Sequence, residues 1–349
     1  MRRRIDQIDQ RMVGLLNQRA RVVLQVGKVK KSHQEDPYVP LREKGILEQL
    51  AKKNKGPFPT HALQSIYQEI FSASRSLQSP MKVAFLGPQG TFTHMAALKQ
   101  FGGSIELVPA ASIARVFDEV EHRRADYGLV PIENSTEGIV NATLDSFAES
   151  PLKICGEVVL PIAHHLMSAS GKMSPIKKLY SHPQATGQCR LWLEENLPSI
   201  SIIDAASTAS AAQQAALDEH AGAIASSWAA QVYQLKIVKR NVEDHANNWT
   251  RFLVISTKEV GRSKRDKTSL LFSVKDEPGI LYRTLESFSK SKINLTKITS
   301  RPVKKKAWEY IFFIDVDGHI LNPRLAKAVA LLARKCHYLR ILGSYPKGT

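Results

Sequence analysis

Arg19 and Lys30 fall on an apolar stripe eleven residues apart, three helical turns, so they share one azimuth. Arg42 and Glu43 open a second helical stretch, and Ser74 and Gln78 lie at i and i+4 on one face of a third. Any one of these cations can be a snorkelled or solvated side chain. As a set on core-facing positions they need an anionic partner, because an unpaired buried charge is prohibitively desolvated. Further along, polar clusters close short apolar runs: Gly87-Pro88-Gln89-Gly90-Thr91-Phe92-Thr93-His94, Val130-Pro131-Ile132-Glu133-Asn134-Ser135, Ser181-His182-Pro183-Gln184-Ala185, Ser207-Thr208-Ala209 and Asn248-Trp249-Thr250-Arg251-Phe252. The first is a Gly-rich turn into a helix, whose backbone amides can hold an anion. Thr186 can cap the helix after His182. Each cluster alone is also explained by capping or turn chemistry.

The elements that would position these groups fall into three blocks. Residues 2–31 read as one helix, with Ile5, Ile8, Met12, Leu15, Leu16, Val22, Val23, Val26 and Val29 recurring at three and four. At 1.5 Å per residue it is roughly 45 Å long, so its stripe needs a partner chain to bury it. Helices over 41–54 and 60–78 follow, separated by Gly56-Pro57-Phe58-Pro59. From 81 to 257 short strands alternate with helices, which predicts an α/β domain with a largely parallel sheet. Its strands are Val83–Leu86, Tyr127–Pro131, Ala163–Ser168, Leu179–Ser181, Ala223–Ser226 and Thr250–Ile255; its helices are Thr93–Gln100, Ile113–Glu121, Thr186–Glu195, Ser207–Asp218 and Ser227–Tyr233. From 268 on, the order is βαββαβ, the ferredoxin-like arrangement.

Length and charge narrow the classes. The 349 residues carry a net charge of +17 and three cysteines. Residues 1–80 have 15 Lys/Arg against 7 Asp/Glu, 81–257 have 14 against 17, and 258–349 have 20 against 8. The basic charge therefore sits at the two ends, as basic arms or as anion sites in separate domains. Lys304-Lys305-Lys306 reads as a solvated hairpin turn, and Trp308 stands without the interleaved aromatics of single-strand binders, so no nucleic-acid partner is expected. No apolar run reaches the ~18–20 residues of a membrane span, and no secretory signal follows Met1. Cys155, Cys189 and Cys336 are too scattered for a disulfide framework or a zinc site, so a cytoplasmic protein without metal or cofactor is expected.

Residues 1–79 resemble the all-helical chorismate mutase domain, carried by Ile5–Asp9, Leu15–Ala20, Val26–Lys30, Arg42–Lys44 and Ser74–Gln78. The resemblance implies that Arg2, Arg19 and Arg42 hold the substrate carboxylates, with Arg2 reaching into a partner's site in an intertwined dimer. Lys30 and Gln78 would donate to the ether oxygen, Glu43 would accept from the ring hydroxyl, and Ser74 would assist a carboxylate. Val39 stands where the family usually has an Asp, which leaves hydroxyl recognition to Glu43. The rearrangement is pericyclic, so the site must hold a flexible dianion in its reactive chair and stabilise charge on the ether oxygen.

Residues 81–257 resemble prephenate dehydratase, which implies two α/β lobes, like a periplasmic binding protein, with the site in the cleft between them. Thr250 matches the catalytic threonine, and Thr91, Glu133, Asn134, Ser135, Ser181, His182, Gln188 and Thr208 carry over as cleft residues. Arg251 would serve a substrate carboxylate or a structural ion pair. His182, His164, His165 and His245 are proton-donor candidates by type. Residues 268–346 look like an ACT domain, which senses amino acids. There Gly279, Ile280 and Leu281, within Asp276–Leu281, and Thr299, Ser300, Arg301 and Pro302 would bind phenylalanine across a domain dimer; Ile280 replaces a usual Ala and Thr299 a usual Glu. Together these imply a bifunctional enzyme of phenylalanine biosynthesis, acting on chorismate and prephenate, as a homodimer with pairing into tetramers left open. Two other readings stay open: a dehydratase preferring arogenate, and a non-catalytic ACT-linked sensor.

Overall fold

The computed structural model describes residues 1–33, 38–274, 277–302 and 310–348, without the side chains of Lys31 and Pro302. Asp276, the charge run Lys304, Lys305 and Lys306, and Trp308 lie outside the described residues. Two compact units divide the chain: Met1–Val83 with Leu98–Leu107, and Ala84–Ala97 with Val108–Thr349.

The first unit is built on α1 (Arg2–Ser32), α2 (Pro40–Lys53) and α3 (Thr60–Gln78). Proline at the start of α2 costs no hydrogen bond, since its missing N–H is an orphan there anyway. Helix α3 buries Phe71, Ser72, Ser74 and Arg75. Gly27 lets α1 close on α3: a Cβ there would stand 2.8 Å from Gln78 Cγ. Tyr38 packs on Phe101 with ring centroids 5.1 Å apart. The long stripe on α1 stays uncovered within one chain; Ile5, Ile8, Met12, Leu15, Val22 and Val29 are each at least half exposed.

Two sheets and a C-terminal layer follow, all in the second unit except Lys82, Val83 and Leu98–Leu107, which belong to the first. The chain runs β1 (Lys82–Leu86), α4 (Phe92–Phe101), β2 (Glu106–Ala110), α5 (Ile113–Glu121), β3 (Tyr127–Asn134), β4 (Gly138–Ile139), α6 (Asn141–Glu149) and β5 (Lys153–Pro161). It then builds β6 (His165–Ser168), β7 (Lys178–Ser181), α7 (Pro183–Gln188), α8 (Arg190–Asn196), β8 (Ser201–Asp204), α9 (Thr208–Ala215), β9 (Ala221–Ala225), α10 (Ser227–Val232) and β10 (Lys236–Lys239), and returns through β11 (Trp249–Ser256). The first sheet has the order β2-β1-β3-β11-β5, with β4 on β3; the second is β10-β6-β9-β7-β8.

The largely parallel sheet expected from sequence is corrected here. Strand β7 pairs in parallel with β8 and β9, but β11 inserts antiparallel between β3 and β5, and β6 is antiparallel to β9 and β10. The chain leaves the first sheet after β5 and re-enters it from the second, so β11 is not delivered by a right-handed β-α-β crossover and is free to run antiparallel. The helix expected over Thr186–Glu195 is two, α7 and α8, separated at Cys189.

The C-terminal layer is β12 (Asp266–Val274), α11 (Ile280–Lys290), β13 (Leu295–Pro302), β14 (Tyr310–Asp317), α12 (Pro323–Ala333) and β15 (Tyr338–Pro346), with strand order β13-β14-β12-β15 and antiparallel pairing throughout. One sheet face packs Leu270, Phe272, Ile314 and Val316 against Phe288, Leu325 and Leu332 of the helices. The other face puts Leu271, Phe313, Leu342 and Tyr345 into one core with Leu144, Phe147 and Ile154. Gly343 permits that approach, because a Cβ there would lie 2.1 Å from the Ile154 carbonyl oxygen. Among the described residues no helix is long and apolar enough to cross a membrane.

Candidate active sites

In the helical unit, Arg19 donates to Ser74 Oγ and its guanidinium lies over the Phe71 ring at 5.6 Å. Glu43 accepts from Arg75 in a half-buried ion pair. Burial pushes the Glu43 carboxyl above its ordinary value, against the pull of Arg75, Lys30 and Arg19, so all three cations act on it. Gln78 sits across from Gly27, and its Oε1 is buried without a hydrogen-bond partner among the described residues. Arg19, Lys30, Glu43, Ser74 and Gln78 are therefore brought together. Arg2, in the first turn of α1, and Arg42 are exposed and do not join these contacts. Val39 precedes α2 and is 37% exposed.

Arg75 was not singled out by its spacing, although it follows Ser74 directly. It is 3% exposed, pairs with Glu43, donates to the Phe101 carbonyl and lies 5.1 Å over Tyr38. It is the fixed counter-charge that orients Glu43.

The second unit holds a cavity of about 750 Å³ between its first two sheets. Thr91, Asn134, His182, Gln188, Thr208 and Thr250 line it, with His164, Phe92 and Phe252. No Lys, Arg, Asp or Glu is among the lining side chains of the described residues. Positive potential comes instead from the starts of α4 and α9: Thr91, Phe92 and Thr93 at one, Ser207, Thr208 and Ser210 at the other. Ser207 caps α9 by accepting from Ser210 N at 2.9 Å. Thr91 Oγ1 donates to the Leu86 carbonyl at 3.0 Å.

Thr250 Oγ1 accepts from Asn134 Nδ2 at 2.8 Å. The same amide donates to Asn248 Oδ1 at 2.6 Å, and Asn134 Oδ1 accepts from the Thr136 and Glu137 N–H groups. Asn248 Nδ2 donates to Gln188 Oε1 at 2.9 Å, which also meets His164 Nε2 at 3.0 Å. Asn248, 3% exposed, is a second residue that the motif contained without marking. Its place two residues before Thr250, just ahead of β11, was the available signal. With one lone pair taken by Asn134, the Thr250 hydroxyl keeps its proton for an acceptor in the cavity. Burial lowers the pKa of His164, which keeps it neutral. His165 is held by the Asn241 N–H at 3.0 Å, and neither it nor His245 lines the cavity.

Glu133, Ser135, Ser181 and Arg251 are not among the residues lining the cavity. Ser135 accepts from the Trp249 N–H at 2.9 Å, and Ser181 is fully buried beside the His182 carbonyl. Of the two roles left open for Arg251, a substrate carboxylate or a structural ion pair, the geometry fits the second. Side chains alternate along β11, so Thr250 and Phe252 face the cavity while Arg251 faces the C-terminal sheet. There it binds Glu157 at 2.6 Å, Asp315 at 2.6 Å and Glu133 at 3.3 Å, and donates to Tyr345 Oη at 2.9 Å. Glu133 lies opposite Arg251 in the β3–β11 register and turns the same way, where Lys297 also pairs with it.

In the C-terminal layer, Gly279 has φ +73° at the start of α11, a conformation glycine adopts without strain. Ile280 and Leu281 pack against the helix-covered core. Thr299 and Ser300 lie on the edge strand β13. Arg301 turns to α6, pairing with Asp145 and donating to the Asn141 carbonyl at 2.7 Å. It lines a separate cavity of about 560 Å³ whose lining does not include Gly279, Ile280 or Leu281. No group of three His, Cys, Asp or Glu side chains that could hold a metal occurs among the described residues.

Three family models match in order: chorismate mutase type II over residues 1–79, prephenate dehydratase over 83–260 and the ACT domain over 268–330. The bifunctional chorismate mutase/prephenate dehydratase of Aquifex aeolicus is 51% identical, covering 99% of this chain and 97% of that one. The enzyme of the same description from Pseudomonas aeruginosa is 41% identical over 99% and 97%. A solved prephenate dehydratase from Arthrobacter aurescens, in complex with L-Phe, superposes with a TM-score of 0.71 at 36% identity, covering 76% of this chain and 90% of that one. With all three modules in order and a relative matched end to end, the chain belongs to the bifunctional chorismate mutase/prephenate dehydratase family.

Proposed function

We propose that the chain converts chorismate to prephenate in the helical unit and prephenate to phenylpyruvate in the cavity of the second, with phenylalanine as the effector of the C-terminal layer. Its modules run over 1–79, 81–257 and 268–346: an all-helical domain, a two-lobed domain like a periplasmic binding protein, and a ferredoxin-like ACT domain. The two reactions are consecutive steps of cytoplasmic phenylalanine biosynthesis.

In the mutase site, Arg19 with Ser74 holds a carboxylate, while Lys30 and Gln78 donate to the ether oxygen as negative charge builds there. Glu43, aimed by Arg75, accepts from the ring hydroxyl. Arg2 completes the site of a second copy, in an intertwined dimer that also covers the exposed stripe of α1. That stripe supports dimerisation, since contiguous exposed apolar area of this extent marks an interface.

In the dehydratase cavity, decarboxylation drives electrons toward the ring as the hydroxyl departs. Thr250 donates to that departing oxygen, and the starts of α4 and α9 with Thr208 and His182 take the carboxylates. The Asn134–Thr250 hydrogen bond, inside a cavity without charged side chains, carries this reading. A site built from neutral donors stabilises developing hydroxide without trapping the product by ion pairing.

The deciding experiment gives purified protein chorismate and follows prephenate and phenylpyruvate by mass spectrometry. Lys30→Ala should stop the first step and still consume added prephenate, and Thr250→Ala should let prephenate accumulate. Loss of both steps by either variant, with the fold intact, would overturn the two-site reading. Turnover of arogenate in preference to prephenate would reassign the cavity's substrate.

A further inference from the structure

Outside the two sites, the described residues hold a charged cluster centred on the buried Arg251. Three cations, Arg251, Lys267 and Lys297, meet three anions, Glu133, Glu157 and Asp315, so the group is neutral as a whole. Glu133 is on β3, Glu157 on β5 and Arg251 on β11; Lys267, Lys297 and Asp315 lie on β12, β13 and β14. Asp315 is fully buried, accepts from Ser269 Oγ at 2.5 Å and receives Arg251. Tyr345 Oη, also fully buried, bridges Ser269 at 2.6 Å and Arg251 at 2.9 Å. Burial alone would raise the Glu157 carboxyl, but Arg251 and Lys267 outweigh it and hold it below its ordinary value.

A planar guanidinium with donors on two edges fixes orientation as well as distance. Here those edges grip β5 on one side and the C-terminal sheet on the other, one residue from Thr250. A twist or slip of the β11 backbone re-aims Arg251 and Thr250 together, because the pleat fixes the direction of both side chains.

We infer that Arg251 is a positioning residue: through Asp315 and Tyr345 it lets the placement of the C-terminal sheet set the aim of the Thr250 hydroxyl, and so couples effector binding to dehydration. This rests on the assignment of Thr250 as the catalytic donor and of phenylalanine as effector. An effector that shifts the C-terminal sheet against β11 moves Asp315 and Tyr345, two partners of this guanidinium.

The test uses the full chain with Tyr345→Phe, which removes one hydroxyl without changing charge, and Asp315→Asn, which keeps the shape. Kinetics with prephenate give kcat and KM separately, phenylalanine inhibition is titrated, and calorimetry follows phenylalanine binding. Both variants should lower kcat several-fold with KM within about twofold. Inhibition should weaken several-fold while phenylalanine still binds. Arg251→Lys, which keeps the charge but loses the fork, should behave in the same way. Unchanged kcat and unchanged inhibition in folded Tyr345→Phe and Asp315→Asn would overturn the inference. A raised KM with kcat intact would overturn it too, returning Arg251 to substrate binding. If the parent protein neither binds phenylalanine nor is inhibited by it, the effector assignment fails, and the positioning role is then decided by the kcat of the three variants.

Discussion

Thr250 and Asn134 stand directly opposite each other on β11 and β3, and Arg251 stands opposite Glu133 one step along. The antiparallel register puts each pair on its own face of the sheet. One pair therefore enters the cavity and the other enters the joint with the C-terminal sheet. Two adjacent residues on one strand thus serve substrate chemistry and domain attachment separately.

Asn134 fixes the Thr250 hydroxyl by donating to one of its lone pairs, so Asn134→Ala should lower kcat for prephenate. Losing one aligned hydrogen bond in the site is worth about 1–3 kcal/mol, or roughly 5–150-fold in rate. KM should change little, and chorismate turnover should not change. Steady-state kinetics with each substrate check this, and a kcat equal to that of the parent would remove Asn134 from the site.

The mutase should lose activity in acid from an unusually high starting point. Burial raises Glu43 above 4.5 despite Arg75, Lys30 and Arg19. Its carboxylate is the acceptor, so activity falls as the pH drops through that raised value. Glu43→Gln should lower kcat/KM at neutral pH and erase this limb. A parent profile flat down to pH 4.5 would contradict the assignment.

Much of this was legible in the sequence because periodicity reports burial on one face. The three helices of residues 2–78 follow apolar spacing, and β12 through β15 follow strand patterning between clear turns. The face chosen by Arg251 was not legible. Every β11 residue after Trp249 is buried, so the strand lacks the polar–apolar alternation that would mark its two sides. Register with β3 and β5 decides the matter, and register is a tertiary property. Strand β5 escaped for a related reason: Glu157 is a charge in a buried strand, made tolerable by Arg251 and Lys267 from distant segments. Arg75 carries no spacing signal of its own, because its partners, Glu43 and the Phe101 carbonyl, come from distant segments.

Gly343→Ala should separate the C-terminal sheet from β5. The added Cβ would meet the Ile154 carbonyl oxygen at 2.1 Å, a backbone atom that no rotamer change can move. Overpacking of this kind costs about 1–3 kcal/mol, with the upper end expected against backbone. Thermal unfolding should show a lower midpoint for the dehydratase unit, and phenylalanine response should weaken with it. An unchanged midpoint would mean that β15 does not pack on β5 this closely in solution.

His94 should make the dehydratase unit sensitive to acid. Its Nδ1 accepts from the Gly90 N–H at 3.0 Å and from Trp228 Nε1 at 3.1 Å, and its ring stacks on Phe85 with centroids 4.9 Å apart. Protonation at Nδ1 would break both hydrogen bonds in the turn that starts α4. Burial accordingly lowers its pKa below 6.5. The unfolded chain therefore takes up this proton first as the pH falls. The contribution of His94 is fully present above pH 6.5 and is lost as the pH falls through the depressed folded-state value. His164 and His165 are lowered in the same direction, so the parent's total slope contains their contributions as well. The difference between parent and His94→Asn, which keeps an acceptor but cannot titrate, isolates this one. Denaturant unfolding at a series of pH values from 7.5 to 5 should give a shallower slope for the variant; parallel slopes would mean that His94 does not hold Gly90 and Trp228 through an unprotonated Nδ1.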